Sequence, residues 1–309
     1  MVKHLRYLLP LLLITAMSCS KFTAPERFEG DVYTVAAMLI AGQPINTEHP
    51  VYITRSSTIE DFDPYSLFVS NAAVTLTDLS DPDEWMLTAV PDLVEMKIKY
   101  IDTAQHIIQP EHRYRIEIQI PGKEQLIWAE TTVPAIADLV PDYYQLGNGF
   151  SLTEEGMNAM PYTAIDQNYP FAMNTGAFSG ACNFMAELYC LEDFSTDLEF
   201  TTPVFGLEHP DASMEDAYNA GGESIRRIKF IGRYTSQIQD GMDDNYLIVK
   251  DYRQAFVFYG KYRISLYIVD DNYYRYTYMP EGYMQGGVHG GLGYFGSAGG
   301  GKMYARIVK

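Results

Sequence analysis

Hydrophobic and polar residues alternate along much of this chain with a period of two. The clearest case is Arg113-Tyr-Arg-Ile-Glu-Ile-Gln-Ile120, where charged or polar positions alternate with apolar ones. That spacing puts one set on each face of an extended segment and marks a half-buried strand of an antiparallel sheet. Residues 31–40, rich in Val, Tyr, Ala and Leu, predict an earlier strand, as do Val51-Tyr-Ile-Thr54 and Ala73-Val-Thr-Leu-Thr77. Pro121-Gly122-Lys123 turns the chain into a further strand over residues 126–133. Short strands separated by turn signals over roughly 110 residues predict an immunoglobulin-like sandwich.

Pro134 and Pro141 bracket an expected boundary, and residues 143–170 are rich in turn formers. Strands resume at 181–191, 224–234, 245–249, 254–259 and 262–269, with Gly260-Lys261 reading as a tight hairpin turn between the last two. Asp270-Asp271 is placed to cap a short helix running through Tyr278 and stopped by Pro280. The expected fold class is all-β: an N-terminal immunoglobulin-like β-sandwich over 28–137, then a second β-rich domain with little helix over 138–309. Its last part is a glycine-aromatic run, expected to be a flexible, tightly turning segment pinned by Tyr294 and Phe295.

The N-terminus departs from this pattern. Lys3 and Arg6 precede a short apolar run over 8–14, followed by Thr15-Ala-Met-Ser-Cys19. The run is too short to span a bilayer, which takes about twenty residues, and reads as an export signal over 1–18. Its ending resembles the lipobox of bacterial lipoproteins, with Ala16 in place of the more usual leucine. That resemblance implies acylation of Cys19 and a membrane anchor of two or three acyl chains, and residues 19–27, with Pro25, read as a short tether. At about 0.8 kcal/mol per buried methylene such an anchor is stable. An ordinary signal peptide ending near a cysteine is the alternative.

Composition narrows the partners. The 309 residues are 47% hydrophobic and 14% aromatic, enough for a substantial core, and the net charge is −18. Duplex nucleic acid is bound by neutralising phosphates with Lys and Arg, so so acidic a chain is expected to bind no nucleic acid. Export favours a disulfide between Cys182 and Cys190. Eight extended residues, however, separate two Cα atoms by roughly 26 Å, whereas a disulfide needs less than about 7 Å. Geometry thus favours two buried thiols, with the disulfide as the alternative.

Two nucleotide patterns overlap near the C-terminus. Gly291-Leu-Gly293-Tyr-Phe-Gly296 matches G-x-G-x-x-G, and Gly296 to Lys302 matches most of a P-loop. A dinucleotide site needs a following helix and an acidic residue about twenty positions on. Here thirteen residues follow Gly296, none of them acidic, and Met303 stands where a P-loop has Ser or Thr. No nucleotide and no cofactor is expected. The six histidines, at 4, 49, 106, 112, 209 and 289, have no metal-ligand spacing. His209 near Glu208 and Asp211, and the acidic run Asp240-Gly-Met-Asp-Asp-Asn245, read as acidic loops; the latter lacks the alternating ligands of a calcium loop. No G-x-S-x-G elbow is present, and catalytic and metal residues are both expected to be none. Tyr273, Tyr274, Tyr276, Tyr278 and Tyr283 crowd one stretch. They either fill a core and its rim or, exposed, stack on sugar rings or a partner.

Together, Val74-Thr-Leu-Thr-Asp78, Tyr114-Arg-Ile-Glu-Ile118, Glu130-Thr-Thr-Val-Pro134, Ile268-Val-Asp-Asp-Asn-Tyr-Tyr-Arg-Tyr276 and Gly290-Gly-Leu-Gly-Tyr-Phe-Gly-Ser297 resemble the domain of unknown function 4249 family. The resemblance covers nearly all of the chain after Cys19, except that residues 143–223 match no quotable motif. It implies a Bacteroidetes-type outer-membrane lipoprotein, often associated with TonB-dependent transport, with no assigned catalytic residues. The expected function is a lipid-anchored, non-catalytic accessory or binding module beside an outer-membrane transporter. The alternatives are a surface adhesin or structural sandwich protein, and a hydrolase of envelope glycans with two carboxylates converging in a concave pocket.

Overall fold

Period-two alternation builds three sheets among the described residues, which in this computed structural model are 32–57, 63–176, 181–193, 198–201, 223–235, 246–278 and 285–309. Cys19 and the leader, His209, Asp240 to Asn245, Pro280 and Tyr283 lie outside them. In chain order the first strands are β1 (Tyr33–Ile40), β2 (Tyr52–Arg55), β3 (Ala73–Asp78), β4 (Asp83–Asp92), β5 (Lys97–Ile101), β6 (Arg113–Gln119) and β7 (Ile127–Thr132). Next come β8 (Leu139–Val140), β9 (Ala159–Pro161), helix α1 (Ile165–Asn168), β10 (Phe171–Asn174), β11 (Ala181–Cys190), helix α2 (Glu223–Arg226), β12 (Arg227–Thr235) and β13 (Tyr246–Val249). The chain closes with β14 (Gly260–Val269), helix α3 (Asp271–Tyr278), β15 (Gln285–Gly286), β16 (Val288–His289) and β17 (Leu292–Val308).

The fold class is all-β, as the alternation indicates. One sheet has the order β16-β7-β6-β3-β4-β5, a small one β13-β10-β8, and the largest runs β12-β11-β14-β17-β1-β2, with β9 and β15 added beside β17. The β6 pattern is realised as read: Tyr114, Ile116 and Ile118 are buried, and the residues between them are more exposed. Cys182 and Cys190 are both buried, unbonded thiols near opposite ends of β11.

The glycine-aromatic run is not a turning segment. It is the first part of β17, a 17-residue strand at the centre of the largest sheet, antiparallel to β14 and parallel to β1. Its odd-numbered side chains face one way. Phe295 enters a core with Val35, Leu39, Leu76 and Ile116, while Met303, Ala305 and Ile307 enter a second core with Phe171, Leu188 and Leu266. On the opposite face Tyr294 and Ala298 join Ile40, Tyr267 and Tyr273. One strand therefore spans both cores, and its pairing with β1 ties the two ends of the chain across residue 137. The glycines permit close packing rather than a bend. Gly293 has φ +96° and stands against the carbonyl of Val35, where a Cβ would fall 1.9 Å from that oxygen.

Two further expectations change. Residues 254–259 do not form a strand: Arg253–Ala255 is a 3-10 turn, and Phe256, Val257 and Phe258 are buried in irregular chain, with Phe258 bridged to Phe200. Backbone pairing is confined to that bridge, where the Thr201 N–H donates to the Val257 carbonyl and the Tyr259 N–H to the Glu199 carbonyl, both at 2.9 Å, and the Thr201 hydroxyl donates to the Phe256 carbonyl at 2.6 Å. Gly260-Lys261 is accordingly the start of β14 and not a hairpin turn. The helix is found as expected: α3 begins after Asp270, whose Oδ1 accepts the Tyr273 N–H at 3.0 Å.

Candidate functional site

Alternation on the largest sheet builds a polar floor on the face that looks away from both cores. In β14, Ile264 and Leu266 point into the second core, so Arg263, Ser265 and Tyr267 point the other way. Register then aligns neighbouring strands. Lys229 of β12 lies opposite Glu187 of β11, Glu187 opposite Ser265 of β14, and Ser265 opposite Lys302 of β17. Above this floor stand Glu48 and His49, Tyr52 of β2, and the β4–β5 hairpin with Glu95, Lys97 and Lys99. Floor and roof enclose a cleft of about 590 Å³, closed on one side by Tyr273 and Tyr294.

Several of its charges are paired. Lys99 Nζ donates to Asp92 at 2.7 Å, Lys302 to Glu48 at 3.2 Å, and Arg227 lies 3.7 Å from Glu187. The Lys229 ammonium meets the Tyr273 hydroxyl. Burial lowers the Lys229 pKa, only partly offset by Glu187, and burial followed by the nearby Lys302 charge lowers that of His49. Three polar atoms at the cleft, His49 Nε2, Arg263 Nε and Tyr267 Oη, are buried with no hydrogen-bond partner among the described residues. Buried polar groups are almost always bonded, and each exception calls for an explanation. An absent ligand is one.

A second cleft, about 740 Å³, lies on the seam where β7 meets β11, the end of β14 and the start of α3. Its groups hold the seam together. The Thr131 hydroxyl donates to Asp270 Oδ2 at 2.6 Å and lies 2.7 Å from Ser297 Oγ, which itself donates to the Thr132 carbonyl at 3.0 Å. Asn272 Nδ2 donates to the carbonyls of Glu130 at 2.7 Å and Phe295 at 3.0 Å. Burial pushes the Asp270 carboxyl up to about 6, with the Thr131 and Tyr273 hydrogen bonds pulling the other way. Glu111, Glu130 and Asp271 also line this seam, so carboxylates do share a concave surface. Glu130 is engaged by Arg113 and Asp271 by Asn183 at 2.9 Å. Unpartnered atoms favour the first cleft: three there against one, Asn183 Oδ1, in the seam.

The tyrosine cluster divides. Tyr273 is buried edge-to-face against Tyr294 at 5.2 Å and Tyr276 packs on Tyr294 at 4.9 Å, while Tyr278 is exposed and stacks on Tyr274. Gly291 to Gly296 opens no helix: Gly291 sits in the bend between β16 and β17, and Leu292 to Gly296 are the first residues of β17. Of the cationic floor the sequence drew attention to Lys302 alone, as the lysine of a P-loop match that its context rules out. The floor's signal was present as alternation in 227–231 and 263–267, but a role for it appears only once four strands are placed in register.

Comparison with known proteins places the chain. The model of a domain of unknown function, DUF4249, matches residues 21–302. The chain belongs to the DUF4249 family. No curated protein matches it. Among solved structures it is similar to a DUF4785 family protein from Legionella pneumophila, at 10% identity and a TM-score of 0.22. That alignment covers 75% of this chain and 51% of the other, so the chain spans about half the length of that structure. A likeness so slight carries no argument.

Proposed function

We propose that this DUF4249 protein is a lipid-anchored, non-catalytic binding module of the cell envelope, working beside an outer-membrane transporter of the TonB-dependent type. Cys19 is the anchor in this reading, and the cleft above β11, β12, β14 and β17 is the ligand site. The observation that carries the binding role is the set of three buried, unpartnered polar atoms at that cleft, since unmet hydrogen bonds are what a ligand would complete. The envelope placement rests on the basic-apolar-Cys19 leader and on the lipoprotein resemblance.

Affinity capture of the full-length protein from detergent extracts of envelope membranes tests the partnership. A transporter is expected in the eluate, and recovery of the lipoprotein alone argues against the role. Mass spectrometry of the mature N-terminus tests the anchor; an unmodified Cys19 refutes it. Hydrolysis of envelope glycans is the second reading, favoured by the Asp270 carboxyl at about 6 among the acids of the seam. It requires glycan cleavage that disappears in Asp270→Asn.

A further inference from the structure

We propose that the cleft above β11, β12, β14 and β17 binds a small ligand carrying two or more oxyanion groups, carboxylate or phosphate. The inference rests on reading this cleft as the ligand site and adds the chemical class. Its first support is an inversion of charge. The chain holds 40 acidic residues against 22 Lys and Arg. The cleft instead gathers Lys97, Lys99, Arg227, Lys229, Arg263 and Lys302 against three glutamates, at positions 48, 95 and 187. Lys97, Lys99, Arg227 and Lys302 are paired with acids, which leaves a net positive lining that attracts anions.

Unmet donors are the second support. Arg263 has no carboxylate within 4.0 Å among the described residues, and its Nε is buried without a partner. Tyr267, 3% exposed, has a buried hydroxyl with no partner. Both groups can donate to an oxyanion, and a guanidinium matches carboxylate or phosphate oxygens by its planar fork. His49 Nε2 can accept or donate according to its tautomer.

The arrangement of the charges argues for more than one oxyanion. Lys229 also has no carboxylate within 4.0 Å among the described residues; its recorded contact is with Tyr273. Lys229 and Arg263 stand on β12 and β14, with β11 between them. Lys229 lies in the row of Glu187 and Ser265, and Arg263 in that of Tyr189, so two strand spacings and a two-residue offset separate their backbones by about 12 Å. Glu187 of β11 lies between the two and opposes an anion placed midway. Two anionic groups on one small molecule meet the two cations on either side of it. Partial desolvation lowers the Lys229 pKa, and an anion beside it would favour the charged form.

Isothermal titration calorimetry of the full-length protein in detergent micelles decides the matter, with pyrophosphate and citrate as phosphate and carboxylate probes and mannitol as the neutral control. One-site, saturable binding of at least one anion is expected, weakening as NaCl is raised, with no mannitol binding. Arg263→Gln and Lys229→Gln should each weaken it about tenfold or more, the loss of one hydrogen bond to a charged group. Lys250→Gln, on an exposed residue outside the cleft, should leave it unchanged. Absence of saturable binding by both anions overturns the proposal, as does full affinity in both cleft variants with their melting curves intact. Should the variants not fold, the wild-type salt series decides: binding indifferent to NaCl rejects the assignment. The capture experiment is independent. A transporter recovered without anion binding removes the ligand class alone, and anion binding without a transporter removes the partnership alone.

Discussion

Replacing Asp270 by asparagine should change how the stability of this protein depends on pH. The side chain caps α3 and closes the seam, accepting from the Tyr273 N–H at 3.0 Å and the Thr131 hydroxyl at 2.6 Å. Burial pushes its carboxyl from 3.8 up to about 6. Below about pH 4 the group is protonated whether the chain is folded or unfolded, so no penalty arises. Between about 4 and 6 the unfolded chain gives up the proton while the native state keeps it, and native stability falls as pH rises. Above about 6 the loss is complete and levels off. The gap between 3.8 and about 6 corresponds to about 3 kcal/mol. Asparagine does not ionise and preserves the geometry. Its carbonyl can accept from Tyr273, and its amide can donate to Thr131 Oγ1, whose proton then turns toward Ser297 Oγ. Urea denaturation of wild type and Asp270→Asn between pH 4 and 7 is the assay. The variant should gain about 3 kcal/mol relative to wild type across that window. A difference that stays flat, or that moves toward wild type as pH rises, refutes the argument that a buried carboxyl strains the seam when ionised.

Three other outcomes follow from the packing. Gly296→Ala places a Cβ 2.8 Å from Tyr273 Cβ and 3.0 Å from Asp270 Oδ1, so α3 must lift off β17 at a cost of about 1–3 kcal/mol; thermal melting and the near-ultraviolet tyrosine signal report it. Phe295→Ala empties a fully buried position over the first core and should cost about 3–5 kcal/mol by denaturant unfolding; a loss below about 1 kcal/mol contradicts its placement there. Burial raises the pKa of both thiols, that of Cys182 to about 11, so a thiol reagent should label Cys182 and Cys190 only after denaturation without reductant. Rapid labelling of the native protein, or none after unfolding, would show the assignment to be wrong.

The strands with one clean apolar face could be read directly from the chain. Tyr114, Ile116 and Ile118 alternate with charged residues, and water on one side with a core on the other enforces that pattern. By contrast β4 gives little signal, since among its ten residues Leu87 is the buried one and the rest are exposed or half-buried in a hairpin. Residues 254–259 show the opposite failure. Phe256, Val257 and Phe258 are as apolar as a central strand, but they are buried by side-chain packing and a 3-10 turn instead of a ladder. Hydrophobicity reports burial, and burial does not require a sheet.

By itself the sequence determined the all-β class, the faces of its alternating strands and the capped start of α3. All of these arise from interactions within a few residues of one another. Tertiary structure alone decided that the glycine-rich end is a strand, because its first half pairs with β1, more than 250 residues away in the chain, and its second half with β14. It also decided the candidate site. Lys229, Glu187, Ser265 and Lys302 are unremarkable singly and become a charged floor only when strand register sets them side by side. A period of two tells which face a residue takes, whereas its neighbours on that face are fixed by pairings between distant parts of the chain.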